Sequence, residues 1–311
     1  MASGRFFTID DEQAGQRIDN FLLRTFKQLP RSRIYNLLRR GEVRVNGGRT
    51  KPIYKLVSGD QVRVPPKLAE PEKSNPAIPE RLADKLRQAV VFESDQLLVV
   101  NKPPGLAVHG GSGLSFGVIE MIRKQRPEAR FLELVHRLDR ETSGCLLIAK
   151  KRSVLRAVQQ LWRDGKVKKT YLALVAGKWQ GGKVNAALRK IDRSGERVVI
   201  VDPQGKPSLS YFRSLGSQVV DKELEVSLMQ VDIRTGRTHQ IRVHAASSGH
   251  PVVGDQKYGD EQFNARFARS GPSRLFLHAH TLEFEIPGEQ PNHFKVPLPK
   301  EFDSWSGLLT E

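Results

Sequence analysis

The sequence predicts an α+β protein in two parts, a small helix-first module followed by a larger domain built on an antiparallel or mixed sheet. Three observations carry this. The first 65 residues hold two short amphipathic helical stretches followed by short strands. Residues 65 to 80, PPKLAEPEKSNPAIPE, hold five prolines and no aromatic residue, as an exposed semi-rigid linker does. Over residues 171 to 235 strand-like segments follow one another with no helical segment between them, which argues for antiparallel neighbours in an α+β domain.

In GQRIDNFLLRTFKQL, Ile18, Phe21, Leu22, Phe26 and Leu29 recur at helical spacing while Arg17 and Arg24 stay on the wet side. After Pro30, Ile34, Leu37 and Leu38 form a second stripe, and Gly41 is placed to end that helix. Val43 and Val45 alternate with Arg44, Asn46-Gly47-Gly48 supplies turn chemistry, and Val62 and Val64 alternate in SGDQVRVP. Arg31, Arg33, Arg39, Arg40, Arg44, Arg49, Lys51 and Lys55 face a single acidic residue, Glu42, across this stretch. The expected boundaries are 10–68 for the module, 69–84 for the linker and 85–311 for the large domain. In the latter, LLVVNKP, CLLIAKK, YLALVAG, RVVIVD, LSYFRSL and LEVSLMQVDI read as strands, SFGVIEMIRKQ and SVLRAVQQLWRD as helices.

Composition narrows the function. The 311 residues carry 51 Lys+Arg against 34 Asp+Glu, a net charge of +17, which points to a polyanionic partner, nucleic acid first. No apolar run is long enough to span a membrane, and MASGRFFTIDDEQ lacks the basic-then-apolar pattern of a signal peptide, so a cytoplasmic protein is expected. A single cysteine, Cys145, allows no internal disulfide and agrees with a reducing compartment. There is no GxxxxGK[ST] and no GxGxxG after a strand, so no nucleotide cofactor is indicated. His136, His239 and His244 have no carboxylate or thiolate at ligand spacing, which speaks against a metal; His239 and His244 are read as lying beside a strand.

The segment LVHRLDRETSGCLLIAKK stands apart, because the polar run from His136 to Gly144 precedes a wholly apolar strand. Asp139 lies between Arg137 and Arg140, whose charges would favour its ionised form and suit a nucleophile or base. Composition leaves open that Asp139 is an ion-pair partner or a turn former.

The string HRLDRETSG resembles the first motif of the RluA family of pseudouridine synthases, whose aspartate is catalytic. KKTYLALVAG, with Tyr171, is similar to the family's second motif, and RTGRTHQIRVHAASSGHPVVGDQKYG to its third. NKPPGLAVHGGSGLSFGVIE and RLFLHAHTLEF also resemble that family, so the resemblance extends over nearly the whole chain. The order of GQRIDNFL and SRIYNLLRRGEVRVNG resembles the S4 RNA-binding domain.

The resemblance implies a pseudouridine synthase fold, a mixed and largely antiparallel sheet with a central catalytic cleft, preceded by an S4-like module. It implies that Asp139 is the catalytic carboxylate, Tyr171 stacks on an extruded uracil, and Arg242 pairs with the aspartate, with Arg237 as the substitute. Arg137 would enter the space the flipped base leaves, Arg140 would bind substrate nearby, Leu277 would wall the uracil, and Arg33, Arg39, Arg40 and Arg44 would grip RNA. The implied reaction breaks the bond from C1' to N1, turns the base and rejoins it through C5, with no metal or organic cofactor. The implied substrate is 23S ribosomal RNA, acted on by a monomer. A non-catalytic RNA-binding or ribosome-assembly protein, or the same reaction on tRNA, are the competing readings.

Overall fold

The computed structural model describes residues 5–26, 29–66, 78–110, 116–193, 195–221, 223–288, 290 and 292–308. The chain divides into two compact units, Met1–Ala77 and Ile78–Glu311.

The first unit runs β1 (Arg5–Thr8), α1 (Ile18–Thr25), α2 (Arg31–Arg40), β2 (Arg44–Val45), β3 (Gly48–Arg49) and β4 (Gln61–Val64). Its four strands lie in the order β1-β4-β2-β3. The apolar stripes of both helices and the inward valines meet in one core of Ile18, Leu22, Ile34, Leu38, Val43 and Val62. Gly41 takes φ 70° at the end of α2, a left-handed conformation that halts the helix at low steric cost. The strand β1 has no counterpart in the sequence reading, because RFFT has no alternation: its run of two phenylalanines reads equally as loop or helix entry. Arg33, Arg39, Arg40 and Arg44 are all exposed.

The second unit opens with α3 (Glu80–Gln88). This corrects the expected linker of 69–84: residues 67–77 lie outside the described residues, and residues 80–84 are helical. Pro79 ends the proline-rich stretch at the helix N-cap, a place that suits a residue lacking an N–H. There follow β5 (Val90–Glu93), β6 (Leu97–Lys102), α4 (Val118–Gln125), β7 (Glu133–Leu134), β8 (Ser143–Ala149), α5 (Arg152–Arg163), β9 (Lys168–Ala176), β10 (Gly181–Asn185), β11 (Leu188–Arg193), β12 (Glu196–Val201), β13 (Leu209–Asp221) and β14 (Leu224–Ile233). The unit closes with α6 (Gln240–Ser247), α7 (Glu261–Phe267), β15 (Leu277–Phe284), β16 (Asn292–Lys295) and a 3-10 helix at Lys300–Leu308.

Among the described residues the main sheet has ten strands, with the path β10-β13-β14-β9-β15-β8-β6-β5, β16 beside β15 and β7 beside β8. All the pairings are antiparallel except β15 with β8. Both faces of the sheet centre are covered. Along β9, Ala173 and Val175 enter one core with Val231 and Ile241, while Leu172 and Leu174 enter another with Phe276 and Trp305. Every residue of β8 is buried, which is why it reads as an unbroken apolar run. The strands β11 and β12 form a separate two-stranded hairpin.

At the parallel junction Gly144 has φ 112°, and a Cβ there would lie 2.2 Å from the Ala279 carbonyl oxygen and 2.6 Å from its nitrogen. The glycine is therefore what lets β8 approach β15.

Candidate active site

The polar loop of residues 136–142 delivers Asp139 to the entrance of β8. Its backbone closes a turn in which Thr142 N–H donates to the Asp139 carbonyl, 3.2 Å. Beneath the loop, Lys102 at the end of β6 is 0% exposed, and its ammonium donates to the carbonyls of Pro103, Leu106 and Arg140, each at 2.9 Å. Burial pulls this lysine down to about 7, against the opposing influence of the Glu141 and Asp139 charges.

A cleft opens beside Asp139, lined by Arg137, Leu138, Tyr171, Ile233, His239 and Leu277 among others. Tyr171 comes from β9, Ile233 from the end of β14 and Leu277 from the start of β15, so neighbouring strands supply the apolar walls. Burial, with the Asp139 charge nearby, raises the Tyr171 hydroxyl well above its usual range, so it stays protonated.

The cationic side of the cleft is α6. This corrects the expectation that His239 and His244 flank a strand: His239 is the N-cap of the helix and His244 lies in its last turn. The helix is buried all round, including Ile241, Arg242, Val243, His244 and Ala245, so no amphipathic stripe marks it in the sequence. Gln240 ties the turn ahead of it, accepting from the Thr235 hydroxyl at 2.7 Å and the Arg237 N–H at 3.0 Å.

Arg242 reaches Asp139 at 3.7 Å, Nη1 to Oδ2. Its other edge grips Asp255 through two bonds of 2.7 Å, Nε to Oδ2 and Nη2 to Oδ1. Asp255 is 2% exposed and also accepts from the Lys257 and Tyr258 N–H groups at 2.9 and 3.1 Å. Burial alone would raise the Asp255 carboxyl, but the Arg242 hydrogen bonds and charge and the two backbone N–H groups hold it below the ordinary range. Asp255 thus fixes Arg242 in a planar fork and leaves one edge for Asp139.

Among the described residues the arginine that reaches Asp139 is Arg242, brought from a distant helix, rather than its chain neighbours Arg137 and Arg140. Arg140 is exposed, donates to the Gly105 carbonyl at 3.0 Å and pairs with Glu141 at 3.5 Å. Arg137 is exposed at the cleft. Arg237 also lines the cleft, but its guanidinium donates to the Pro207 carbonyl at 3.1 Å.

His136 and His244 each have partners of their own. His136 accepts from the Leu147 N–H at 3.1 Å and stacks on Trp162, and burial pushes it down to about 4. His244 is buried among Ser208, Ser210 and the Ala186 carbonyl. Among the described residues no group of three or more His, Cys, Asp or Glu side chains could hold a metal ion.

Sequence reasoning missed Lys102, Asp255 and Tyr258. The signal for the last two was present in GDQKYG, but a carboxylate 13 residues beyond Arg242 announces no partnership until the chain folds back.

Comparison with known proteins places these elements. The family model described as "RNA pseudouridylate synthase" matches residues 96–247, and that of the S4 domain matches residues 16–62. The ribosomal large subunit pseudouridine synthase C of Haemophilus ducreyi is 51% identical over 291 residues, 92% of this chain and 89% of that protein. The enzyme of the same name from Escherichia coli is 50% identical over 292 residues, 92% of this chain and 90% of that one. The solved structure of human RNA pseudouridylate synthase domain containing 1 superposes with a TM-score of 0.59 at 28% identity, covering 75% of this chain and 88% of that one.

Proposed function

This chain belongs to the RNA pseudouridylate synthase family and is an RNA pseudouridine synthase, and from that premise we propose that it isomerises specific uridines of 23S ribosomal RNA with Asp139 as the reacting carboxylate. The observation that carries the assignment is the arrangement around Asp139: one carboxylate lining a cleft, beside an arginine whose own charge is already matched by Asp255, with apolar side chains from the sheet lining the same cleft.

Cleavage of the bond from C1' to N1 develops positive charge at the sugar, which a carboxylate can stabilise, attack, or relieve by taking a neighbouring proton. Rejoining forms the bond from C1' to C5. The C5 hydrogen leaves, N1 gains a proton, and the product is an isomer of the substrate, so the reaction requires no metal and no organic cofactor. The uridine must leave the RNA stack to reach Asp139. Tyr171 offers its ring to the base, Leu277 and Ile233 exclude water that would otherwise hydrolyse the opened sugar, and Arg137 fills the vacated stack. Arg140, exposed and next to Asp139 in the chain, is free on its outer side to meet the RNA backbone. The exposed Arg33, Arg39, Arg40 and Arg44 of the S4 domain supply phosphate contacts. The enzyme acts as a monomer in the cytoplasm.

The test is chemical mapping of pseudouridine in large-subunit rRNA from cells lacking the protein, and from the same cells supplied with wild type or Asp139→Asn. The expected result is loss at a few large-subunit uridines, restored by wild type alone. Equal restoration by Asp139→Asn would remove Asp139 from the reaction; an unchanged map would remove 23S rRNA as the substrate and turn attention to tRNA.

A further inference from the structure

Among the described residues, His239 and Asn46 are the non-glycine residues with positive φ, and His239 holds φ 53° at the entry to α6. A side chain held in the left-handed region against its steric preference is one whose placement the surrounding structure enforces. His239 Nε2 lies 3.8 Å from Asp139 Oδ2, the same oxygen that Arg242 approaches. Its Nδ1 lies 2.7 Å from the Tyr258 hydroxyl. That hydroxyl accepts from the Val199 N–H on β12 at 3.0 Å.

The directions of these bonds follow from the donors available. A backbone N–H can only donate, so one lone pair of the Tyr258 oxygen is taken and its own hydrogen is free to point at His239 Nδ1. With that hydrogen directed at it, Nδ1 accepts, and the single imidazole proton of a neutral His239 sits on Nε2, facing Asp139. We propose that Tyr258 and His239 are a positioning pair for the reaction: Tyr258 fixes the Nε2–H tautomer of a neutral His239, and His239 then turns an uncharged N–H, 3.8 Å away, toward the Asp139 carboxylate beside Arg242.

An uncharged donor suits this place. The local charges are Asp139, Arg242, Asp255 and Lys257, and the faces turned to His239 come from the Asp139 loop, from α6 and from the 255–258 segment. A second full cation against Asp139 would tie up the electron pair that the opening sugar requires. Burial lowers the proton affinity of His239, and Arg242 and Lys257 act in the same direction, opposed by Asp139 and Asp255. Tyr258 is well set to hold the tautomer, because its ring lies 5.0 Å from the Arg242 guanidinium carbon and its N–H donates to Asp255. The same residue therefore touches both groups that border Asp139.

The inference rests on Asp139 being the reacting carboxylate, and the experiment separates the two ideas. Single-turnover rates are measured by tritium release from RNA carrying [5-³H]uridine, between pH 5.5 and pH 8.5, for wild type, Tyr258→Phe, His239→Asn, His239→Gln and Asp139→Asn. Tyr258→Phe should free Nδ1 to take a proton and move the acidic limb of the rate profile up by about one pH unit. His239→Asn keeps a side chain tolerated at positive φ but loses the distal donor, so its rate should fall about tenfold or more with little change in half-saturating RNA. His239→Gln, whose amide nitrogen can reach the Nε2 position, should recover part of that loss.

A Tyr258→Phe profile superimposable on wild type would overturn the proposal, as would equal rates for His239→Asn and wild type. A uniform loss at all pH values accompanied by a lower melting temperature would also overturn it, since that is the mark of a merely structural tyrosine. If Asp139→Asn turns over like wild type, the reading of Asp139 itself fails; if it is inactive while Tyr258→Phe is unaltered, only the positioning pair fails.

Discussion

Replacing Asp255 should damage both fold and rate, by amounts set by its burial. The Asp255 side chain is wholly buried and that of Arg242 is 10% exposed, so the pair is desolvated and the small values of surface ion pairs do not apply. Removing one partner of such a pair leaves an uncompensated buried charge, at about 3–5 kcal/mol. Asp255→Ala should therefore unfold in urea with stability reduced by about 4 kcal/mol, within the roughly 5–15 kcal/mol that a domain has to lose. Asp255→Asn keeps the shape but presents an amide N–H₂ to a site filled by donors from Arg242, Lys257 and Tyr258, and should lose a comparable amount. In either variant Arg242 loses the fork that aims it. A displacement of about 1 Å at a reacting group is enough for a hundredfold loss, so single-turnover tritium release should fall by about that factor. The pH dependence follows from the sign of the Asp255 shift. Its carboxyl is held below the ordinary 3.8 in the folded chain, so the stabilisation is complete above about pH 4 and disappears as pH falls through the native value. The stability gap between wild type and Asp255→Ala should close on acidification below pH 4. A loss under about 1 kcal/mol with an unaltered rate, or a gap that persists unchanged to pH 3, would refute the argument.

Three further outcomes are expected. Gly144→Ala should cost more than about 2 kcal/mol in urea unfolding, because a Cβ at φ 112° meets the Ala279 backbone at 2.2 Å; a loss under 0.5 kcal/mol, well below the roughly 1–2 kcal/mol of backbone strain alone, would show that β8 and β15 can part without penalty. Lys102→Met should leave three carbonyls without their donor, at about 1–3 kcal/mol for the buried Pro103 carbonyl and less for the part-buried carbonyls of Leu106 and Arg140, and should lower the rate as well, since the last belongs to the Asp139 loop. Reversing the charge of Arg39 and Arg40 should weaken RNA binding and flatten its dependence on salt by about 1.5 in the log–log slope; an unchanged slope would mean that Arg39 and Arg40 make no phosphate contacts.

What was legible in the sequence depended on how evenly each element is buried. Ile34, Leu37 and Leu38 stand on a helix with one wet face, and Val62 and Val64 on a strand with one, so their periods showed. The strand β8 is buried on both faces and was still legible, because seven residues from Ser143 to Ala149 are too few for a core helix and sit beside turn residues. The helix α6 was not legible, since burial on every side erases the 3.6-residue period, and its polar members Gln240, Arg242 and His244 are satisfied inside the protein instead of in water. The helix α3 was hidden by the prolines that precede it. In the site, Asp139, Tyr171 and Arg242 were identified through the family motifs, and the cleft brings all three together with Leu277. Asp255, Tyr258 and Lys102 were missed because what distinguishes each is a tertiary partner: a guanidinium from another element, an imidazole at a helix entry, or a set of carbonyls.

How three distant motifs come to face one another is a question of register. Tyr171 stands opposite Val231 on β14 and opposite Ala279 on β15, and Ala173 stands opposite Leu277. Ala279 in turn is paired with Gly144 on β8, five residues beyond Asp139. Residues directly opposite in a sheet point to the same face, as do residues two apart along a strand. Tyr171, Ala173, Val231, Ile233, Leu277 and Ala279 therefore share one face, and that face floors the cleft beneath α6. A slip of one residue in β9 would turn Tyr171 to the opposite side, among Leu172's present neighbours Phe276 and Trp305, and carry its ring out of the cleft. The slip is resisted from both faces, since Leu172 and Leu174 would have to leave one core as Ala173 and Val175 left the other. The position of the tyrosine is thus fixed by apolar packing on both sides of the strand that carries it, and the loop with Asp139 is aligned to it by the close approach that Gly144 permits.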